Sequence, residues 1–435
     1  MQITRLETRQ VDFTDRLDRL LDWDTTSGEG VAEVVSDVLA DVRNRGDQAV
    51  LELTAQFDRL QVTDVAELKV SAQAMSEALA TIDSQERLAL EKAAQRITAY
   101  HEHQRESSWS YTDDLGNRLG QKITPLESVG VYVPGGQASY PSSVLMTLLP
   151  AKVAGVERIT VTVPTPDGTR LDMVLAALAI AGADEVFTIG GAQAIGALAF
   201  GTQTIGRVDK IVGPGGAYVA EAKRQVYGKV GIDIIAGPSE VLVIADGSTD
   251  PRWVAMDLFS QAEHDAAAQS ILLCPDPQYI EAVEQAMLAL LPTMQRREVI
   301  EASLAQRGAF VQTRDIDEAI EVANRIAPEH LELQVQEPDQ WLDKIKHAGA
   351  IFCGAYAGET LGDYVAGPSH VLPTFGTARF GSPLGVYDFV KRSSVIQISQ
   401  HGAADLVDIA LPLAQSEGLQ AHALAAAMRA GQDKL

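Results

Sequence analysis

Apolar residues recur three and four positions apart from Gly30 to about Ser108, as at Val34, Val38, Leu39 and Val42, and a polar-faced stretch runs from Ser84 to His103. This spacing predicts a layer of helices. Between Gly130 and Glu240 the texture changes to short Val/Ile-rich runs, ITVTVP at 159–164, VFTIGG at 186–191 and KIVG at 210–213. Helical patterns from about Leu171, from Ala192 and up to Tyr227 fall between and after them. A second series follows: VLVIAD at 241–246, a helix across Trp253 to Gln269, SILLC at 270–274, a helix from about Tyr279, AFVQT at 309–313 and AIFC at 350–353. Strands alternating with helices of this length predict βαβ units and mostly parallel sheets. The stretch from about Pro383, with a helix near Glu417 to Met428, is too short for a large core of its own and reads as an appendage.

Composition narrows the class. The chain has 435 residues, 35 Lys+Arg against 59 Asp+Glu, and a net charge of −24. At about 100–200 residues per domain it has room for two to four domains, and its 46% hydrophobic content excludes a disordered or fibrous chain. The acidic balance argues against nucleic acid, which needs a basic footprint. The N-terminal MQITRLETRQVDF lacks the apolar stretch of a signal peptide, and the longest nearly apolar run, Met173 to Ala183, is far short of the roughly 18 residues of a membrane span. The protein is expected in the cytoplasm and off the membrane. Cys274 and Cys353 give no disulfide framework and are expected to be buried, inert thiols.

Glycine clusters close three of the runs in one half: GVYVPGG (130–136), IGGAQAIG (189–196) and VGPGG (212–216). Such turns beyond the carboxyl ends of parallel strands suit a nucleotide-type cofactor, although tight βα turns use glycine for the same steric reason. None matches the G-x-G-x-x-G fingerprint. Among eight histidines, His101 and His103 on a charged helix, with His347 and His401, read as solvated. In FSQAEHD, Gln261 and His264 are three apart on an expected helix and point the same way. Asp363 and His370 lie in the loop-like LGDYVAGPSH, and His422 follows Glu417 near the C-terminal helix. Histidine nitrogens with aspartate and amide oxygens suit zinc, with manganese as the alternative, while each histidine taken singly also reads as a satisfied surface or core residue. In RIAPEHLEL, Pro328 is placed to start a helix, so that Glu329 and His330 would diverge by about 100° and address different atoms. That suits two proton-transfer roles; a first-turn glutamate beside a surface histidine is the plainer alternative.

The segments QAEHD (261–265), IAPEHLEL (326–333), GAIFCGAYAGETLGDYVAGPSHVLPT (349–374), AGPSEVLVIAD (236–246) and GVYVPGG resemble histidinol dehydrogenases, along essentially the whole chain. The resemblance implies an α/β fold of two Rossmann-like parallel-sheet domains with an N-terminal helical segment and a small C-terminal domain. Its boundaries would be 1–25 for the N-terminal segment, 26–131 with 240–382 for the metal and catalytic domain, 132–239 for the NAD domain, and 383–435 for a small domain crossing to the partner subunit. It implies a zinc-dependent homodimer that oxidises L-histidinol to L-histidine through an aldehyde with two NAD. Zinc ligands would be Gln261, His264, Asp363 and His422; Glu329 and His330 the acid/base pair; and Ser239, His370 and Glu417 further substrate contacts. All four zinc ligands and His330 would also face substrate. Tyr132 and Gln193 match the NAD pattern, whereas Gly216 stands where the family commonly has Asn after GPG. Two other readings stay open: oxidation of another small alcohol on the same fold, and a metallohydrolase that uses the ion to activate water.

Overall fold

The structure, a computed structural model, describes residues 2–23, 30–135, 140–169 and 171–431. It divides into two compact units, Met1–Gln104 with Glu127–Phe389, and Arg105–Leu126 with Val390–Leu435. Gly136, which ends GVYVPGG, lies outside the described residues, as do the last positions of the expected N-terminal segment.

In chain order the strands are β1 (Thr4–Glu7), β2 (Trp109–Thr112), β3 (Arg118–Pro125), β4 (Ser128–Tyr132), β5 (Arg158–Thr162), β6 (Glu185–Phe187), β7 (Lys210–Val212), β8 (Gly231–Ile232), β9 (Glu240–Ala245), β10 (Gln269–Cys274), β11 (Ala309–Gln312), β12 (His330–Gln334), β13 (Ala350–Cys353) and β14 (Val390–Gln397). The large unit holds two parallel sheets, ordered β1-β11-β10-β9-β12-β13 and β6-β5-β4-β7-β8. Strands β9 and β10 are buried at every position and read as unbroken apolar runs because helices cover both faces. On one face Leu242, Ile271, Val311 and Leu331 pack on the helices Phe13–Leu20 and Ile316–Ile326. On the other, Val241, Val243 and Leu272 meet the helices Pro251–Ala262, Pro277–Leu290 and Arg297–Arg307. Aspartates start several of these helices: Asp250, Asp276 and Asp315 each accept an N–H of the first turn.

The helical layer expected from Gly30 appears as Val31–Arg45, Asp47–Phe57, Ala72–Thr81 and Ser84–Glu102. The first two share a core with the five-stranded sheet, where Val35, Val42 and Leu53 meet Ile195, Leu198 and Ile211. One expectation fails on this layer. His101 is buried, its Nδ1 2.8 Å from the Ile97 carbonyl, because its position faces inward where the other polar residues of the helix do not; His103 is exposed.

The small unit pairs β14, β3 and β2 as an antiparallel sheet beside the helices Gln400–Ser416 and Gln420–Arg429. Residues 118–125, which the sequence places in the first α/β stretch, thus pair with strand 390–397, and 109–112 pair with 118–121. No helix among the described residues is long and apolar enough to cross a membrane.

Candidate active site

The site grows from one strand. In β12, HLELQ, Leu331 and Leu333 face the apolar core while His330, Glu332 and Gln334 share the opposite face, as the two-residue period of a strand requires. Pro328 therefore starts no helix. The helix lies before it, Ile316–Ile326, and ends at Ala327 with φ +54°. The chain then turns at Pro328 into β12, with His330 opposite Val241 of β9 and Ala350 of β13. Burial between two parallel neighbours outweighs the helix-start signal of the proline.

His330 Nδ1 is 2.9 Å from the Glu240 carbonyl oxygen. A carbonyl only accepts, so Nδ1 carries the hydrogen in the neutral ring and Nε2 is the nitrogen that gains or loses the proton. Nε2 is buried without an aligned hydrogen bond, 3.4 Å from Asp363 Oδ1. Glu329 Oε2 accepts the Glu240 N–H at 2.8 Å and lies 3.7 Å from His330 Nδ1. Burial pushes the Glu329 carboxyl up to about 8, against the pull of His330. Burial alone would lower His330, but the carboxylates of Glu359, Glu329 and Asp363 override it and raise it well above its ordinary value.

Further carboxylates converge on the same face. Glu332 Oε1 accepts the Glu359 N–H at 2.8 Å, and Asp257 hydrogen-bonds to Glu332. Burial raises Glu240 to about 7, Asp257 to about 6 and Glu359 to about 8, and lifts Glu332 well above the usual range. Four carboxyl groups, Glu240, Glu329, Glu359 and Asp363, thus act on one imidazole, with Glu332 and Asp257 paired beside Glu359, an arrangement short of positive charge.

Gln261 is fully buried in the last turn of Pro251–Ala262. Its amide donates to Glu359 at 3.1 Å and to the Glu240 carbonyl at 3.3 Å, which leaves the amide oxygen as a ligand. His264 is not on that helix as expected; it follows in the turn, its N–H on the Gln261 carbonyl at 3.1 Å, because the helix stops at Ala262. Asp363 lies in a π-helical turn, Gly362–Ala366, which continues the short helix Glu359–Leu361. That geometry replaces the expected loop and sets Glu359 and Asp363 toward His330, their ligand atoms and an imidazole nitrogen all within 4.8 Å of one another. His370 follows in irregular chain, with Nε2 buried and unpartnered. Ser239 is half-buried just before β9, its carbonyl on the Gln269 N–H. Glu417 and His422 belong to the small unit and are exposed there. The orphaned imidazole nitrogens, the buried amide oxygen and the excess of carboxylates fit a divalent cation of zinc type.

The five-stranded sheet gathers the other group. Tyr132 ends β4, 5% exposed, and its hydroxyl accepts the Gly191 N–H at 3.1 Å. Gln193 lies in the first turn of Gly191–Phe200, 1% exposed, with Nε2 unpartnered. Gly213 must be glycine: its φ is +109° and a Cβ would stand 2.1 Å from the Tyr132 carbonyl oxygen. Gly216 caps Ala217–Val226, and a Cβ there would meet nothing within 4 Å.

The histidinol dehydrogenase sequence profile matches residues 22–430. The histidinol dehydrogenase of Dechloromonas aromatica is 59% identical over 427 residues, 98% of this chain and 99% of that protein. That of Cupriavidus pinatubonensis is 58% identical, covering 99% of this chain and 97% of that protein. The crystal structure of histidinol dehydrogenase from Elizabethkingia anophelis superposes with a TM-score of 0.93 at 33% identity, over 98% of each chain. The chain belongs to the histidinol dehydrogenase family. It is thereby an NAD-dependent oxidoreductase of histidine biosynthesis, in a family that uses zinc.

Within this site, the sequence did not single out Glu240, Asp257, Glu332 and Glu359. Two signals carried part of the answer: the alternation in HLELQ, and Glu359 and Asp363 four apart in GETLGDY. Of the thiols, Cys274 is buried and pushed up to about 12, whereas Cys353 is exposed, contrary to expectation, because β13 is an edge strand with one face uncovered. Partial burial still raises the Cys353 thiol.

Proposed function

We propose that the chain converts L-histidinol to L-histidine by way of L-histidinaldehyde, with His330 as the base of both oxidations and Glu329 as the group that activates water between them. The carrying observation is the imidazole of His330: Nδ1 is held by the Glu240 carbonyl and Nε2 is left open beside Asp363, with Glu329 as the adjacent carboxyl. His330 Nε2 takes the alcohol proton as the carbinol carbon loses hydride. Glu329 then draws a proton from water, whose oxygen adds to the aldehyde carbon to form a diol. Once it has released its first proton to solvent, His330 takes a diol proton in the second oxidation, which leaves the carboxylic acid, and this ionises to the carboxylate. Bound NAD would supply the hydride acceptor of each oxidation. Zinc would be held by Gln261, His264, Asp363 and His422 of the partner subunit, and would anchor the substrate imidazole and amine.

Ser239, His370 and Glu417 contact the substrate in this reading, and the buried carboxylates complement its positive charge. Tyr132, Gln193 and the Gly216 turn hold NAD within 132–239, while 26–131 with 240–382 carries the chemistry. Exposure of Glu417 and His422 supports their service to a second subunit's site in a cytoplasmic homodimer, with 383–435 as the crossing segment. Purified protein should form two NADH per L-histidine from L-histidinol; one NADH per product, or none, sinks the four-electron reaction.

A further inference from the structure

The five-stranded sheet runs, in space, as third, second, first, fourth and fifth strand of its own sequence order, the arrangement of a dinucleotide-binding half. In that arrangement an acidic residue near the end of the second strand accepts the adenosine ribose hydroxyl. Here the second strand is β5, and it runs out into Val163 and Pro164, which offer no acceptor side chain.

A carboxyl group reaches that corner from elsewhere. Asp58 closes the helix Asp47–Phe57, its N–H on the Thr54 carbonyl. Its own carbonyl accepts the Asp167 N–H at 2.8 Å, which fastens it to the turn that follows β5. A Cβ built on Gly190 would lie 2.5 Å from Pro164 Cβ and 3.4 Å from Asp58 Oδ1, so side chain, proline and the glycine turn before Gly191–Phe200 meet at one point. The Gly190 N–H bonds to the carboxyl group. Asp58 is 7% exposed, and its Oδ2 is buried with no hydrogen-bond partner. The unpartnered Gln193 Nε2 belongs to the same helix start.

A buried acceptor without a donor costs free energy, which a ligand's hydroxyl recovers. The neighbouring guanidinium does not serve it, because Arg59 is engaged by Asp167 through Nε at 2.6 Å and Nη2 at 2.5 Å. In this arrangement the pyrophosphate belongs at the turn after the first strand, β4, and the donors next along an adenine dinucleotide are its ribose hydroxyls.

We infer that Asp58 accepts the adenosine ribose 2′-hydroxyl of NAD and excludes the 2′-phosphate of NADP. The inference rests on the reading that this sheet binds NAD. A 2′-phosphate would bring its charge against the carboxylate at a place where Arg59 is already paired.

The test begins with the unmodified protein and calorimetric binding of NAD, 2′-deoxy-NAD and NADP. 2′-Deoxy-NAD should bind about tenfold or more weakly than NAD, and NADP about a hundredfold or more weakly, as loss of a charge-assisted hydrogen bond and added repulsion require. Equal binding of NAD and 2′-deoxy-NAD overturns the role of Asp58 and leaves the nucleotide site standing; no binding of NAD overturns both. Asp58→Asn should weaken NAD by about tenfold and narrow the gap to NADP, with the KM for NAD rising more than kcat falls. An unchanged NAD to NADP ratio in a folded variant overturns the inference, and the arms on the unmodified protein decide it if that variant does not fold.

Discussion

At the scale of single residues, the site turns on which nitrogen of His330 is open. The Glu240 carbonyl fixes the tautomer, so the open acceptor is determined by the backbone and needs no neighbouring acid to set it. His330→Asn should lower kcat by about three orders of magnitude while zinc content and folding stay as they are, measured by NADH formation, metal analysis and circular dichroism. Glu329→Gln should separate the steps. The first oxidation proceeds, and a single-turnover experiment gives about one NADH per site in the burst before hydration stalls. Two NADH in that burst would take water activation away from Glu329. Gly216 offers the converse case, a residue whose substitution should help. Its Cβ direction is open, so Gly216→Asn should add an amide side chain at the proposed NAD turn, lowering the KM for NAD without loss of thermal stability.

Among the elements, the strand β12 and its approach carry most of the consequences. The helix Ile316–Ile326 is amphipathic and legible, and its end at Ala327 is not, because a left-handed turn is normally marked by glycine or asparagine. Ala327 adopts φ +54° at a strain of about 1 kcal/mol, held by the packing of the helix before it and the strand after it. Ala327→Gly should therefore raise stability by about 0.5–1 kcal/mol, a shift in apparent melting temperature of about 1 °C for a chain this long. A fall in that temperature would show that φ is not what limits the turn. Pro328 was the misleading signal. Proline suits a helix start, but the following HLELQ has the two-residue alternation of a strand with one apolar and one polar face, and pairing with β9 and β13 decides between them.

On the scale of the whole molecule, Glu417 and His422 set the question of how many chains complete one site. If each site takes these residues from a partner, an inactive His330→Asn protein mixed with an inactive His422→Ala protein should regain activity on reassociation. Half the dimers would then be mixed, each with one intact and one doubly altered site, so activity should reach about a quarter of the unmodified level. Mixtures that stay inactive would place His422 in its own subunit's site. Chelation should remove zinc and lower thermal stability, and added zinc should restore both activity and melting temperature, since the metal binds the folded site in preference to the unfolded chain.

By itself the sequence determined the α/β class, the helical layer from Gly30, most but not all of the strand runs of the two parallel sheets, with β1, β8 and β12 escaping it, and the family to which the chain belongs. Periodicity records which face of each segment is apolar, and burial selects for that. It also brought His330, Glu329 and Asp363 forward as candidates, through the segments IAPEHLEL and LGDYVAGPSH. Only the tertiary structure decided that β12 is a strand, that four carboxyl groups act on one imidazole, and that Asp58 reaches the corner of a sheet about a hundred residues away along the chain, past Pro164. Such facts depend on residues far apart in sequence meeting in space. The desolvation that raises Glu329 to about 8, and the open nitrogen of His330, come from those meetings and have no trace in the local pattern.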